Sequence, residues 1–119
     1  MIETTTELFP GASEESTYII RSRFYDENSV AVEPNALAWT LTDSAGTVIN
    51  SREDVSVTPG TVVDIGLSGD DLAILSGETD MVFVWRYMVI NGDYDSAFGA
   101  GMPIRSQCKF SVTNLRGVS

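Results

Sequence analysis

Apolar and polar residues alternate with period two along much of the chain, which is the spacing of half-buried strands. The pattern is clearest over residues 104–114 (IRSQCKFSVTN): Ile104, Ser106, Cys108, Phe110 and Val112 fall on one face, and Arg105, Gln107, Lys109, Ser111 and Thr113 on the other. Residues 36–42 (ALAWTLT) repeat it, with Leu37, Trp39 and Leu41 inward and Ala38, Thr40 and Thr42 outward. In residues 61–67 the inward set is Val63, Ile65 and Leu67. Residues 18–25 (YIIRSRFY) alternate Tyr18, Ile20, Ser22 and Phe24 with Ile19, Arg21, Arg23 and Tyr25. The longest apolar run, residues 81–91 (MVFVWRYMVIN), is rich in Val, Ile and aromatics and too short for a favoured helix. Val82, Val84, Arg86, Met88 and Ile90 share one of its faces, and Met81, Phe83, Trp85, Tyr87 and Val89 the other. Two apolar faces predict a central strand covered on both sides. Trp85 and Tyr87 then have two readings, a binding patch or one end of the core.

Turn chemistry separates these runs. Asp43–Ser44–Ala45–Gly46 predicts a tight turn, with residues 47–50 returning as a short strand. A short segment at residues 30–32 precedes Pro34, and residues 55–57 form another before Pro59–Gly60. Residues 68–75 (SGDDLAIL) open with capping residues and predict a single helical turn between the two sheets. At Asn91–Gly92 a hairpin turn competes with a bulge; the bulge is preferred, because the strand then continues to Tyr94 on the Met88/Ile90 face. Residues 92–103 (GDYDSAFGAGMP) read as a long, mobile, glycine-rich loop with apolar content, a place for binding. The pattern predicts an all-β fold, an immunoglobulin-like antiparallel β-sandwich of about seven strands with a short helical turn near 69–75. Residues 18–115 form the sandwich, 1–17 a flexible N-terminal arm and 116–119 a short tail. The arm reads as solvated, or as docking onto a neighbouring subunit through Leu8, Phe9 and Ile2; on the docking reading, deleting residues 1–15 is expected to weaken partner binding and leave the thermal midpoint nearly unchanged.

Composition narrows the partners. At 119 residues and 43% hydrophobic content the chain fills one core. A formal net charge of −10 opposes binding to nucleic acid and to an anionic membrane surface. No apolar run approaches the roughly 20 residues needed to span a bilayer, and no basic start with an apolar core precedes the fold, so assembly in the cytoplasm is expected. The single cysteine permits no internal disulfide, and its place beside Phe110 predicts a buried, inert thiol.

The chain contains no histidine, which removes Ser-His-Asp and Cys-His nucleophiles and ordinary zinc ligation. No phosphate loop occurs. Asp93-x-Asp95 begins like a calcium loop, but Ala97 stands where a third oxygen ligand is wanted and no Glu closes the loop. Asp70–Asp71 suits a cap at a helical turn. A non-enzymatic protein without cofactor or metal is the expectation. Its partner contacts are expected from Leu8 and Phe9 in the arm and from Tyr94, Phe98 and Met102 around the glycine-rich loop.

Five stretches together carry a resemblance: RSRFYDENS (21–29), ALAWTLTDSAGTVINSREDV (36–55), VDIGLSGDDLA (63–73), RYMVINGDYDS (86–96) and IRSQCKFSV (104–112). They resemble the small immunoglobulin-like structural proteins of tailed-phage and prophage virions, over roughly residues 18–115. The most specific pieces, WTLTDSAGTVIN and LSGDDLA, are strand, turn and corner motifs rather than binding motifs. The resemblance implies a virion component assembled in the host cytoplasm, most simply a capsid decoration or cement protein bound to the major capsid protein of the assembled head. The alternative is a head–tail joining (neck) or tail-associated protein; a cell-surface adhesion or carbohydrate-binding module stands further off. Homo-oligomerisation is left open.

Overall fold

Two long strands, β7 (Phe83–Ser96) and β8 (Gly99–Thr113), pair antiparallel from Phe83↔Thr113 to Ser96↔Gly99 and form the spine of the protein. The computed structural model describes residues 5–8, 10–78 and 81–115. Strand β4 (Ala36–Thr42) lies against β7, from Thr42↔Tyr87 to Ala36↔Asp93, and β5 (Val55–Val57) borders β4. On the other side, β1 (Thr5–Glu7) and β2 (Ala12–Ser13) run parallel to β8, completing a six-stranded sheet. A second sheet of two strands, β3 (Thr17–Arg23) and β6 (Val62–Ser68), packs against it. The all-β sandwich expected from the alternation is therefore what the chain forms. Its order, β8–β7–β4 facing β3–β6, matches strands G–F–C facing B–E of the immunoglobulin sandwich.

The inward sets coincide with the core. Leu37, Trp39 and Leu41 of β4, Val63, Ile65 and Leu67 of β6, and Val84, Met88 and Ile90 of β7 are buried together with Phe110 and Val112. Trp39 lies on β4, the strand in the place where immunoglobulin domains set a tryptophan against a disulfide; here Ile20, Met88 and Ile90 belong to the same cluster. Ser68 precedes the predicted helical turn, a 3-10 turn at Gly69–Leu72. Asp71, 2% exposed, accepts hydrogen bonds from Ser68 N–H at 3.2 Å, Asn50 Nδ2 at 2.8 Å and Arg52 Nε at 2.7 Å. Burial pushes this carboxyl up, but the bonds from Arg52, Asn50 and Ser68 outweigh it and hold it below the ordinary aspartate value.

Four local expectations are corrected. Residues 1–17 do not stand apart as a flexible arm where they are described, because β1 and β2 lie in register on β8 and Ala12 is 5% exposed. Glu15, at φ 52°, turns the chain across to the smaller sheet, with its N–H bonded to Leu72 O at 3.1 Å. Residues 92–103 are not a loop but the end of the β7–β8 hairpin, turning at Ala97–Phe98. Neither a turn nor a bulge occurs at Asn91–Gly92, where the register runs unbroken; it shifts between Tyr94 and Ser96. Residues 47–50 return as a single bridge, Thr42↔Val48, and residues 30–32 as the bridge Tyr25↔Ala31. Positive φ at Asn50 and Ser51 bends the chain away before a ladder can extend. The expected tail, 116–119, lies outside the described residues.

Candidate interaction surface

β4 accompanies β7 only as far as Asp93, so from Tyr94 to Met102 the two-stranded ribbon continues alone. Fourteen residues of β7 span about 48 Å at the usual rise per residue, close to the 54 Å long axis of the molecule. The radius of gyration of 15.6 Å exceeds the ~13.5 Å of a compact chain of this length, in keeping with a projecting element.

Local chemistry explains why the ribbon forms. Gly99 and Gly101 adopt φ of 154° and 68°, conformations that side chains resist, and these bring β8 back after the turn. Phe98 N–H donates to Ser96 Oγ at 2.8 Å, closing the turn. The Asp95 carboxylate accepts from Gly101 N–H at 3.2 Å and from Asn35 Nδ2 at 3.1 Å. Asn35 N–H also donates to Asp93 O at 2.8 Å, and Tyr94 Oη donates to Glu27 Oε1 at 3.0 Å. The loop between β3 and β4 thus braces the ribbon at its base. Asp95 takes part in this bracing through its carboxylate and Asp93 through its backbone carbonyl, and among the described residues no group of three or more metal-ligating side chains forms.

The predicted contact residues do not form one surface. Tyr94 and Met102 face each other across the ribbon, and Phe98 stands at its tip, 80% exposed. Leu8 is separate: its N–H bonds Lys109 O at 2.9 Å and its side chain packs against the chain's own core, so it is not free to anchor a neighbour. Ile2 and Phe9 lie outside the described residues.

A second exposed feature is the outer face of the six-stranded sheet. The reading of this face as core is corrected: Met81 and Phe83 are 52% and 46% exposed, and Trp85, Tyr87 and Val89 are half-buried. Phe83 meets Trp85 edge-on at 5.6 Å between ring centroids, and Lys109 Nζ sits 4.7 Å above the Trp85 ring. An open depression of about 540 Å³, lined by Ala38, Asp54, Ser56, Asn91 and Arg105 among others, lies toward the ribbon. It is too shallow to exclude water around a reacting group.

Two features lie outside what the alternation assigns. Arg86 sits at an inward position of β7 and is fully buried, bidentate to Glu78 at 2.6 and 3.0 Å, with further bonds to Ala73 O and Trp85 O. A cation at an inward place in an apolar run is the signal that marks it, and Glu78 eight residues earlier is its partner. The brace from Glu27 to Tyr94 joins residues 67 apart, which no local pattern reveals. Cys108 is half-buried, and burial pushes its thiol up to about 11 against a weaker lowering from the Met88 backbone, so it is poor as a nucleophile. No known protein family, curated protein or solved structure matches the chain.

Proposed function

We propose that the chain is a non-enzymatic structural protein of a tailed-phage virion, and within the virion a decoration protein bound to the major capsid protein of the assembled head. The observation that carries this reading is the braced β7–β8 ribbon with Phe98 exposed at its tip. A rigid projection loses little conformational entropy on docking, and an aromatic tip supplies the kind of anchor that dominates protein interfaces. The resemblance over residues 18–115 supports a virion setting, and the sandwich supports it to the extent that a small rigid body suits repeated placement on a lattice. A neck or tail ring would use the same ribbon, and copy number separates the two sites. The test is co-sedimentation with purified heads lacking the protein and with isolated capsid subunits. Saturable binding to heads and none to subunits is expected; equal binding to both, or to neither, overturns decoration.

A further inference from the structure

The smaller sheet leaves two long edges open. Among the described residues no strand pairs with the outer side of β3 or of β6, each seven residues long. Phe24 N–H donates to Thr61 O at 3.2 Å, extending the β3–β6 register. Because alternate residues bond in an antiparallel ladder, this places the backbone groups of Ile19, Arg21 and Arg23 on one open edge and of Val62, Asp64 and Gly66 on the other.

The two edges differ in protection. β3 carries Arg21 and Arg23 on its exposed face; Asp64 matches only Arg21, so Arg23 leaves net charge on this edge, which opposes pairing with another copy. β6 presents Val62 at 47% exposure, Gly66 without a side chain, and Asp64, whose carboxylate is already matched by Arg21 at 2.8 and 3.1 Å. It keeps an unbroken register with β3 and alternates exposed and buried throughout, with no bulge or proline to guard its edge.

We propose that β6 is a self-association edge, on which two copies pair β6 to β6 antiparallel about a two-fold axis to give a continuous four-stranded sheet. Three registers bring the outward backbone groups together around the strand centre. Centring on Asp64 sets two carboxylates face to face, which is unfavourable. Centring on Gly66 shortens the overlap. Centring on Ile65 overlaps all seven residues, with Ser68 N–H kept by Asp71, and sets Asp64 opposite Gly66 of the second copy twice over. It also sets Ile65 against its counterpart and Val63 against Leu67 on the core side. The charge of −10 on each copy opposes association at low ionic strength, so salt strengthens this dimer. The inference is independent of the virion reading.

The experiment is sedimentation velocity of the full chain across concentration and salt, with amide exchange by NMR on the same samples. The expected result is a shift toward twice the monomer mass as protein and salt rise. Slowed exchange is expected at Asp64 and Gly66 N–H, while Ile19, Arg21 and Arg23 N–H stay fast. Gly66→Pro removes no bond of the β3–β6 ladder, since that N–H faces outward, and a Cβ at this position meets only Ile19 Cδ1 at 3.4 Å. It is expected to abolish the dimer while the thermal midpoint of dilute protein holds. Val62→Pro, at the first residue of the strand, provides the same test should Gly66→Pro unfold. A monomer at every concentration and salt overturns the proposal, as does a dimer that keeps its mass in a folded proline variant or protects a different strand.

Discussion

Glu78→Ala is expected to be among the most damaging single changes outside the apolar core, although Glu78 sits on a short surface turn. Its carboxylate meets the Arg86 guanidinium through two charge-assisted bonds, at 2.6 and 3.0 Å, and Arg86 is 0% exposed. Removing the carboxylate leaves a buried cation facing only Trp85 O at 3.1 Å and Ala73 O at 3.3 Å. Breaking one side of such a pair typically costs 3–5 kcal/mol; the Glu78 side chain is 21% exposed, which argues for the low end, about 3 kcal/mol. Arg86→Met is the contrasting variant. It removes the buried charge together with its bonds, while Glu78 turns to water, and the expected cost is about 1 kcal/mol or less. Urea unfolding at neutral pH, read as the shift in midpoint at constant slope, measures both. The pair also has a pH signature. The Arg86 hydrogen bonds hold the Glu78 carboxyl below its ordinary 4.5. Its contribution is therefore complete above that pH and is lost as pH falls through the lower folded value. The difference between Glu78→Ala and the native chain should narrow in that acid window. A cost under about 1 kcal/mol for Glu78→Ala, or Arg86→Met proving as damaging, would refute the reasoning by showing that the guanidinium finds other solvation.

Deleting residues 1–15 removes β1, β2, the Ala12 contact and the Leu8 packing. A loss of about 2 kcal/mol is expected for burial on this scale, and an unchanged melting midpoint would contradict the pairing on β8. Cys108 should react slowly with a thiol reagent at pH 8 in the native state and quickly in denaturant. Because its folded value is raised to about 11, the stability it contributes is present below the ordinary 9.0 and fades as pH rises toward 11. Fast native labelling would refute that burial. Phe98→Asp should leave the unfolding free energy within about 0.5 kcal/mol of native, as expected for a surface change, while head binding falls at least tenfold. Retained binding removes the ribbon tip from the contact.

Where each side chain answers to one local environment, the sequence was legible. The inward residues of β4, β6 and β7 follow period two because burial acts on alternate positions, and Ser68–Asp71 announced its turn through capping chemistry. The ribbon was hidden because glycines that read as loop residues are also what a tight β return needs at Gly99 and Gly101. The N-terminal strands were hidden because two- and three-residue strands carry too few positions to show a period, and their place is set by β8, about a hundred residues away. Of the contact residues, Tyr94, Phe98 and Met102 share the ribbon, whereas Leu8 looked exposed only because its polar neighbours concealed the strand it adjoins.

The central claim is a place in the virion, and quantitative mass spectrometry of purified particles from the source of this sequence tests it most directly. The account predicts a copy number comparable to that of the major capsid protein. A ring-sized handful of copies would contradict decoration and move the protein to the neck or tail, and absence from particles would contradict the virion reading altogether.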